Sequence, residues 1–136
     1  MSILELDLDG AQEPTVVPAD EEYKLRIVAC DPVKDDKNGN EYIMPRFEIS
    51  DSPASKEFTK YTKLATAKNM KGLSAKQANN LKWQNLNFLL CFGIDPKKKF
   101  KPEEDLPGKT GWAILGIESD EEYGDKNYVK KFVTPK

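Results

Sequence analysis

Residues 74–93, "SAKQANNLKWQNLNFLLCFG", decide the fold. Ser74 is followed three residues later by Gln77, a capping-box pattern in which each side chain satisfies the other's backbone N–H. Gly93 is a suitable stop, because a helix commonly ends on a residue with positive φ. Between these ends, Leu81, Trp83, Leu86, Leu89, Leu90 and Phe92 cover a broad arc. Lys76, Asn80, Gln84 and Asn87 are left on a narrower polar stripe. The pattern predicts a largely buried helix of roughly five turns, with Trp83 in the core.

The segments on either side read as strands. "YKLRIVAC" (23–30) alternates Tyr23, Leu25, Ile27 and Ala29 with Lys24 and Arg26, the period of a half-buried strand. Asn38-Gly39 signals a turn before "YIMPRFEIS" (42–50). There Ile43, Phe47 and Ile49 share one face, and Tyr42, Met44 and Arg46 the other; Pro45 favours an edge or a bulge. "KEFTKYTKL" (56–64) is a third strand of ambiguous facing, since Phe58 and Tyr61 have opposite parity. After the helix, "TGWAILGIE" (110–118) is apolar on both faces, which predicts a central strand with Trp112 in the core. "NYVKKFV" (127–133) is the last strand.

Three strands, one helix and two strands is the order of the mostly β, five-stranded Greek-key barrel called the OB-fold, with its helix between strands three and four. A domain over residues 23–136 is expected, preceded by an acidic arm over 1–22. The alternation of Leu4, Leu6 and Leu8 with acids is compatible with a short strand. Pro14, Pro18 and the lack of basic residues favour an arm.

The net charge of −2 hides an asymmetry. Residues 1–22 carry seven acids and no Lys or Arg, a charge of −7. Residues 53–101 carry eleven lysines against Glu57 and Asp95, a balance of +9. Such a body attracts a polyanion, and the arm can compete for the same surface. The longest apolar run, Phe88–Phe92, is too short to span a bilayer, and the N-terminus has no secretory pattern. Cys30 and Cys91 are then simplest as reduced core residues.

Enzymatic readings fare poorly. The chain has no histidine, so an ordinary nucleophile–base dyad is missing. "DLPGKTG" (105–111) lacks the earlier glycine of a phosphate loop and precedes a strand, not a helix. Asp35-Asp36 and the acids Asp120, Glu121, Glu122 and Asp125 match no calcium-loop spacing and read as solvated loops. No catalytic residue, metal or cofactor is expected.

A sequence-tolerant site for a single strand needs cations for phosphates and flat side chains for bases. In an OB-fold it lies on strands two and three with the first-to-second and fourth-to-fifth loops. On that face stand Tyr42, Arg46, Lys60, Tyr61 and Lys63, flanked by Lys24 and Arg26. Lys34 and Lys37 close one rim and Tyr123 the other, although its acidic neighbours repel phosphate. Lys97–Lys99 read as a solvated loop or a phosphate contact. The bland alternative is that tyrosines simply pack well on pleated surfaces and lysines keep edges soluble.

The framework "EEYKLRIVAC…DKNGNEYIMPRFEI…LNFLLCFGI…DLPGKTGWAILGIE…NYVKKFVTP" resembles a family of small phage proteins long catalogued as of unknown function. Its members are generally taken to be OB-fold single-stranded DNA-binding proteins and commonly sit among replication and recombination genes. The resemblance spans about residues 21–135 and is carried by Gly39, Gly93, Leu106, Gly108-Lys109, Asn127, Val129 and Phe132. It implies binding of single-stranded DNA in the host cell cytoplasm, with phage replication or recombination proteins as partners and homo-oligomers as an option. Two departures stand out: the chain ends in "KKFVTPK" rather than an acidic tail, and residues 52–77 are unusually rich in lysine. A protein-interaction barrel that binds a replication or host protein is the alternative.

Overall fold

The computed structural model describes residues 3–135; Met1, Ser2 and Lys136, at the ends of the expected arm and domain, lie outside the described residues. The elements in chain order are β1 (Glu22–Ala29), β2 (Lys34–Asp35), β3 (Glu41–Ile43), β4 (Arg46–Ile49), β5 (Phe58–Thr59) and β6 (Thr62–Lys63). There follow α1 (Ala67–Met70), α2 (Ala75–Cys91), α3 (Pro102–Asp105), β7 (Thr110–Asp120) and β8 (Gly124–Val133). Five strands form an antiparallel sheet in the order β5-β4-β1-β7-β8, and three form a smaller sheet, β2-β3-β6. The fold is mostly β with one long helix. No ladder among the described residues joins β5 to β8, so the sheet is open along that seam.

β1 follows its alternation. Leu25 and Ile27 are fully buried and Arg26 faces out. Strands two and three of the sequence reading are each broken in two. Pro45, buried and without an N–H to continue a ladder, separates β3 from β4. Its carbonyl accepts the N–H of Lys60, where the third strand breaks. β4 and β5 therefore stay in the large sheet, and β3 and β6 move to the small one. This break resolves the conflicting parity of Phe58 and Tyr61: the two residues do not lie in one strand. It also takes Arg46 off the face that carries Tyr42.

The helix is capped as its sequence predicts. The Gln77 N–H donates to Ser74 Oγ at 3.1 Å, and the Ser74 N–H to Gln77 Oε1 at 3.0 Å. Its burial is narrower than expected. Leu81, Phe88 and Cys91 form the buried stripe, whereas Trp83 is 60% exposed. Two residues on from Leu81, Trp83 is turned about 200° around the axis, onto the outer face with Leu90. Trp112 is likewise 45% exposed, because β7 buries only the face carrying Ala113 and Leu115. Both tryptophans thus stand outside the core assigned to them from sequence. At the helix end, α2 approaches β7 so closely that a Cβ on Gly111 would lie 2.7 Å from the Cys91 carbonyl oxygen.

The core holds five phenylalanine rings. Phe47 lies 5.5 Å from Phe58, 5.8 Å from Phe92 and 6.2 Å from Phe132, centroid to centroid. Phe88 adds edge contact with Phe132 at 5.3 Å. Such pairs contribute about 0.5–1.5 kcal/mol each beyond their buried area.

The acidic arm has two parts. Residues 3–14 are exposed throughout, and no strand forms over Leu4–Leu8. Residues 15–20 are fastened down. Thr15 bridges Ser55, and its carbonyl accepts the Lys56 N–H. The Val17 N–H donates to Asn127 Oδ1 at 3.0 Å, and Asn127 Nδ2 donates to the carbonyls of Val17 and Gly116. The Asp20 carboxylate pairs with Lys130. Asn127 is buried, and these three bonds satisfy it. Asn127→Ala would strand the Val17 N–H and lower stability by about 1–3 kcal/mol, measured as a shift of the urea midpoint. An unchanged midpoint would mean that the arm is not fastened through this residue.

Candidate nucleic-acid interface

The open seam forms a cleft of about 350 Å³. One wall is Lys60–Lys63 and the other Val129–Phe132, with Gln84, Asn85, Asn87 and Phe88 of α2 between them. Two amides of the helix hold the two walls. Asn85 accepts the Ala65 N–H at 2.8 Å and donates to the Lys63 carbonyl at 3.0 Å. Asn87 donates to the Phe132 carbonyl at 3.3 Å. The spacing of two positions on one helix thus sets the width of the cleft. Four lysines line it: Lys60, Lys63, Lys130 and Lys131. Among the described residues, only Lys130 of these has an ion-pair partner, Asp20.

At the cleft wall stands a pair of stacked tyrosines. The Tyr42 and Tyr61 rings lie 4.8 Å apart at 25°. Tyr61 lines the cleft and is 45% exposed; Tyr42 is half-buried. Across the small sheet, Tyr42 stands opposite both Lys34 and Lys63, so these three side chains share one face. Asp36 fixes the pair. Its Oδ1 accepts the N–H groups of Asn38 and Asn40, closing the turn at Gly39 (φ 80°). Its Oδ2 accepts the Tyr61 hydroxyl at 2.6 Å. That bond, followed by burial, pushes the Tyr61 phenol up to about 12. It also holds the Asp36 carboxyl below its ordinary value.

The site residues read from sequence therefore fall into separate groups. Lys60, Tyr61 and Lys63 meet at the cleft, with Tyr42 and Lys34 beside them. Lys34 is paired with Asp31. Lys37 is exposed on the β2–β3 turn. Lys24, Arg26 and Arg46 lie on the outer face of the large sheet, where Glu48 takes Arg26 and Glu57 takes Arg46. Tyr123 is 75% exposed at the tip of the β7–β8 hairpin. It is separated along β8 from Lys130 by roughly 20 Å at the rise of a strand. Its turn is built by Asp120, which accepts the N–H groups of Glu122 and Tyr123.

Several contributors escaped the sequence reading. Lys130 and Lys131 were visible as a basic pair, but nothing local says that the last strand faces the third across a gap. Asn87 read as part of a polar stripe and Asn85 was assigned to neither face, although the two bond the two walls. On the outer sheet face, Trp112 stands opposite Lys24, an exposed aromatic beside a cation. By contrast, the depression of about 450 Å³ around Lys98, Lys99 and Lys109 also holds Asp95, Glu104 and Asp105, so its charge is balanced. Asp35 is taken by Lys68. No grouping of His, Cys, Asp or Glu among the described residues could hold a metal, and no helix is long and apolar enough to cross a membrane.

Alkaline titration tests the phenol–carboxylate bond. Tyr61 keeps its proton more tightly folded than unfolded, so its contribution to stability is complete below pH 10 and is lost as pH rises through about 12. Asp36→Asn should return one tyrosine to the ordinary range in the ultraviolet phenolate signal. An unchanged titration curve would contradict the assignment.

No protein-family model matches the chain, and no curated protein matches it in sequence. The ground for a function is therefore the chemistry of this surface.

Proposed function

We propose that the protein binds single-stranded DNA with low sequence specificity, along the cleft between β5–β6 and β8, in support of phage DNA replication or recombination. The observation that carries this reading is the cleft itself: four lysines with the Tyr42–Tyr61 stack on its wall. Lysines neutralise phosphates without reading sequence, and an exposed ring accepts any base. We further read the large sheet as an open form of the OB-fold barrel. The first strand pairs with the second and fourth segments and the last pairs with the fourth, while the long helix follows the third. The protein acts by binding and not by catalysis, and its setting is the host cell cytoplasm beside replication or recombination proteins.

Tyr61 is the base contact and Tyr42 its support. The outer-face residues Lys24, Arg26 and Arg46 are secondary, because Glu48 and Glu57 already occupy the two arginines. A labelled oligothymidine titrated at several salt concentrations tests the reading. Three lysines without ion-pair partners among the described residues predict a slope of log K against log salt of about −2. Tyr61→Ala should weaken binding by about 1–3 kcal/mol, with folding unchanged by circular dichroism. Lys63→Gln with Lys131→Gln should flatten the salt slope by about 1. Absence of salt-sensitive binding at micromolar protein would sink the idea.

One observation favours a second reading, a module that binds a replication or host protein. Trp83 and Leu90 share an exposed face of α2. Trp83→Ala should leave oligonucleotide affinity unchanged under the first reading. Loss of a defined protein complex in pull-downs from infected cells would favour the second.

A further inference from the structure

We infer that residues 4–9 of the N-terminal arm, free in this structure, are a built-in ligand of the lysine cleft of the same molecule. The competition with DNA rests on the reading above; the occupancy itself does not.

The chemistry of the segment matches that of the cleft. Leu4, Leu6 and Leu8 alternate with Glu5, Asp7 and Asp9, so an extended segment has one apolar and one acidic side. All three leucines are strongly exposed where the arm stands free, and none has found a core. Facing the seam are three lysines without ion-pair partners among the described residues, Lys60, Lys63 and Lys131, together with the half-buried Val129. β8 is an edge strand, able to receive an extended segment.

The anchoring of the arm makes the contact reachable. Thr15 is bridged to Ser55, and Asp20 already pairs with Lys130 of the cleft. From Ser55 to Lys60 is five residues, at most roughly 18 Å of chain. From Thr15 back to Asp9 is six residues, a reach of roughly 20 Å. Both distances start from the same bridge, so the acidic segment reaches the cleft without leaving its own molecule. Residue pairs held this way meet at high effective concentration.

Occupancy is tested without DNA. A nitroxide placed on Leu6→Cys avoids Cys30 and Cys91, which are buried and whose thiols are each pushed up to about 11. At low salt, the label should broaden the amide signals of Lys60–Lys63 and Val129–Phe132, and salt should reverse the effect. Unbroadened signals there would overturn the inference. Broadening in a mixture of labelled protein with unlabelled, isotope-enriched protein would overturn the same-molecule contact in favour of a second copy. Competition is read separately. Deleting residues 1–13 should tighten oligothymidine binding by about tenfold at low salt, with the gain fading as salt rises. Equal affinity with and without the arm would overturn the competition. If the shortened protein binds no oligonucleotide while broadening persists in the full chain, the DNA reading fails and the arm's site stands.

Discussion

The rest of the structure depends on the packing of Phe47. Its ring is fully buried and touches Phe58 from one edge strand, Phe132 from the other, and Phe92 from the end of the long helix. The two edges of the sheet share no backbone ladder among the described residues; ring packing holds them together, helped by the arm's bonds to Lys56 and Asn127. Hydrogen-bonded closure would have filled the seam with paired backbone. Closure through rings buried beneath the surface leaves the rims apart. Asn85 and Asn87 then fix the separation from the helix side. A site can form on a sheet this small because its edges are joined at the level of the core and left open above it.

The distribution of acids gives that opening its character. Glu48, Glu57, Asp31 and Asp35 each pair with a cation outside the seam. Exposed pairs of this kind contribute little to stability, with a median of about 0–1 kcal/mol. Their larger effect is to take up Arg26, Lys34, Arg46 and Lys68 on other faces, while Lys60, Lys63 and Lys131 of the cleft keep no ion-pair partner among the described residues. A chain with a net charge of −2 can therefore still offer one concentrated basic surface.

The helix and the strand segments were legible because each carries a local signal. Ser74 and Gln77 mark the cap, and Leu25 and Ile27 keep a strict period of two. Tertiary relations were not legible. Pro45 signalled an irregularity, but only its bond from Lys60 reveals that two strands break together and divide between two sheets. Trp83 and Trp112 were assigned to the core on hydrophobicity, and both face out because the helix and β7 each bury a single stripe. For the cleft, Lys60, Tyr61 and Lys63 were found from their shared segment. Lys130 and Lys131, far along the chain, join them only through the way the sheet curves back. Asn127 carried the family resemblance, and its physical task is to bond the arm to the sheet.

The outward tryptophans have a spectroscopic consequence. A partly exposed indole already meets water, so unfolding changes its environment less than it would that of a core tryptophan. The protein's intrinsic fluorescence therefore reports on its surface as well as on its folding. Trp112 watches the outer sheet beside Lys24, and Trp83 watches the free face of α2. A quench assigned to one or the other by single replacement with phenylalanine would locate a bound molecule on the protein without any added label.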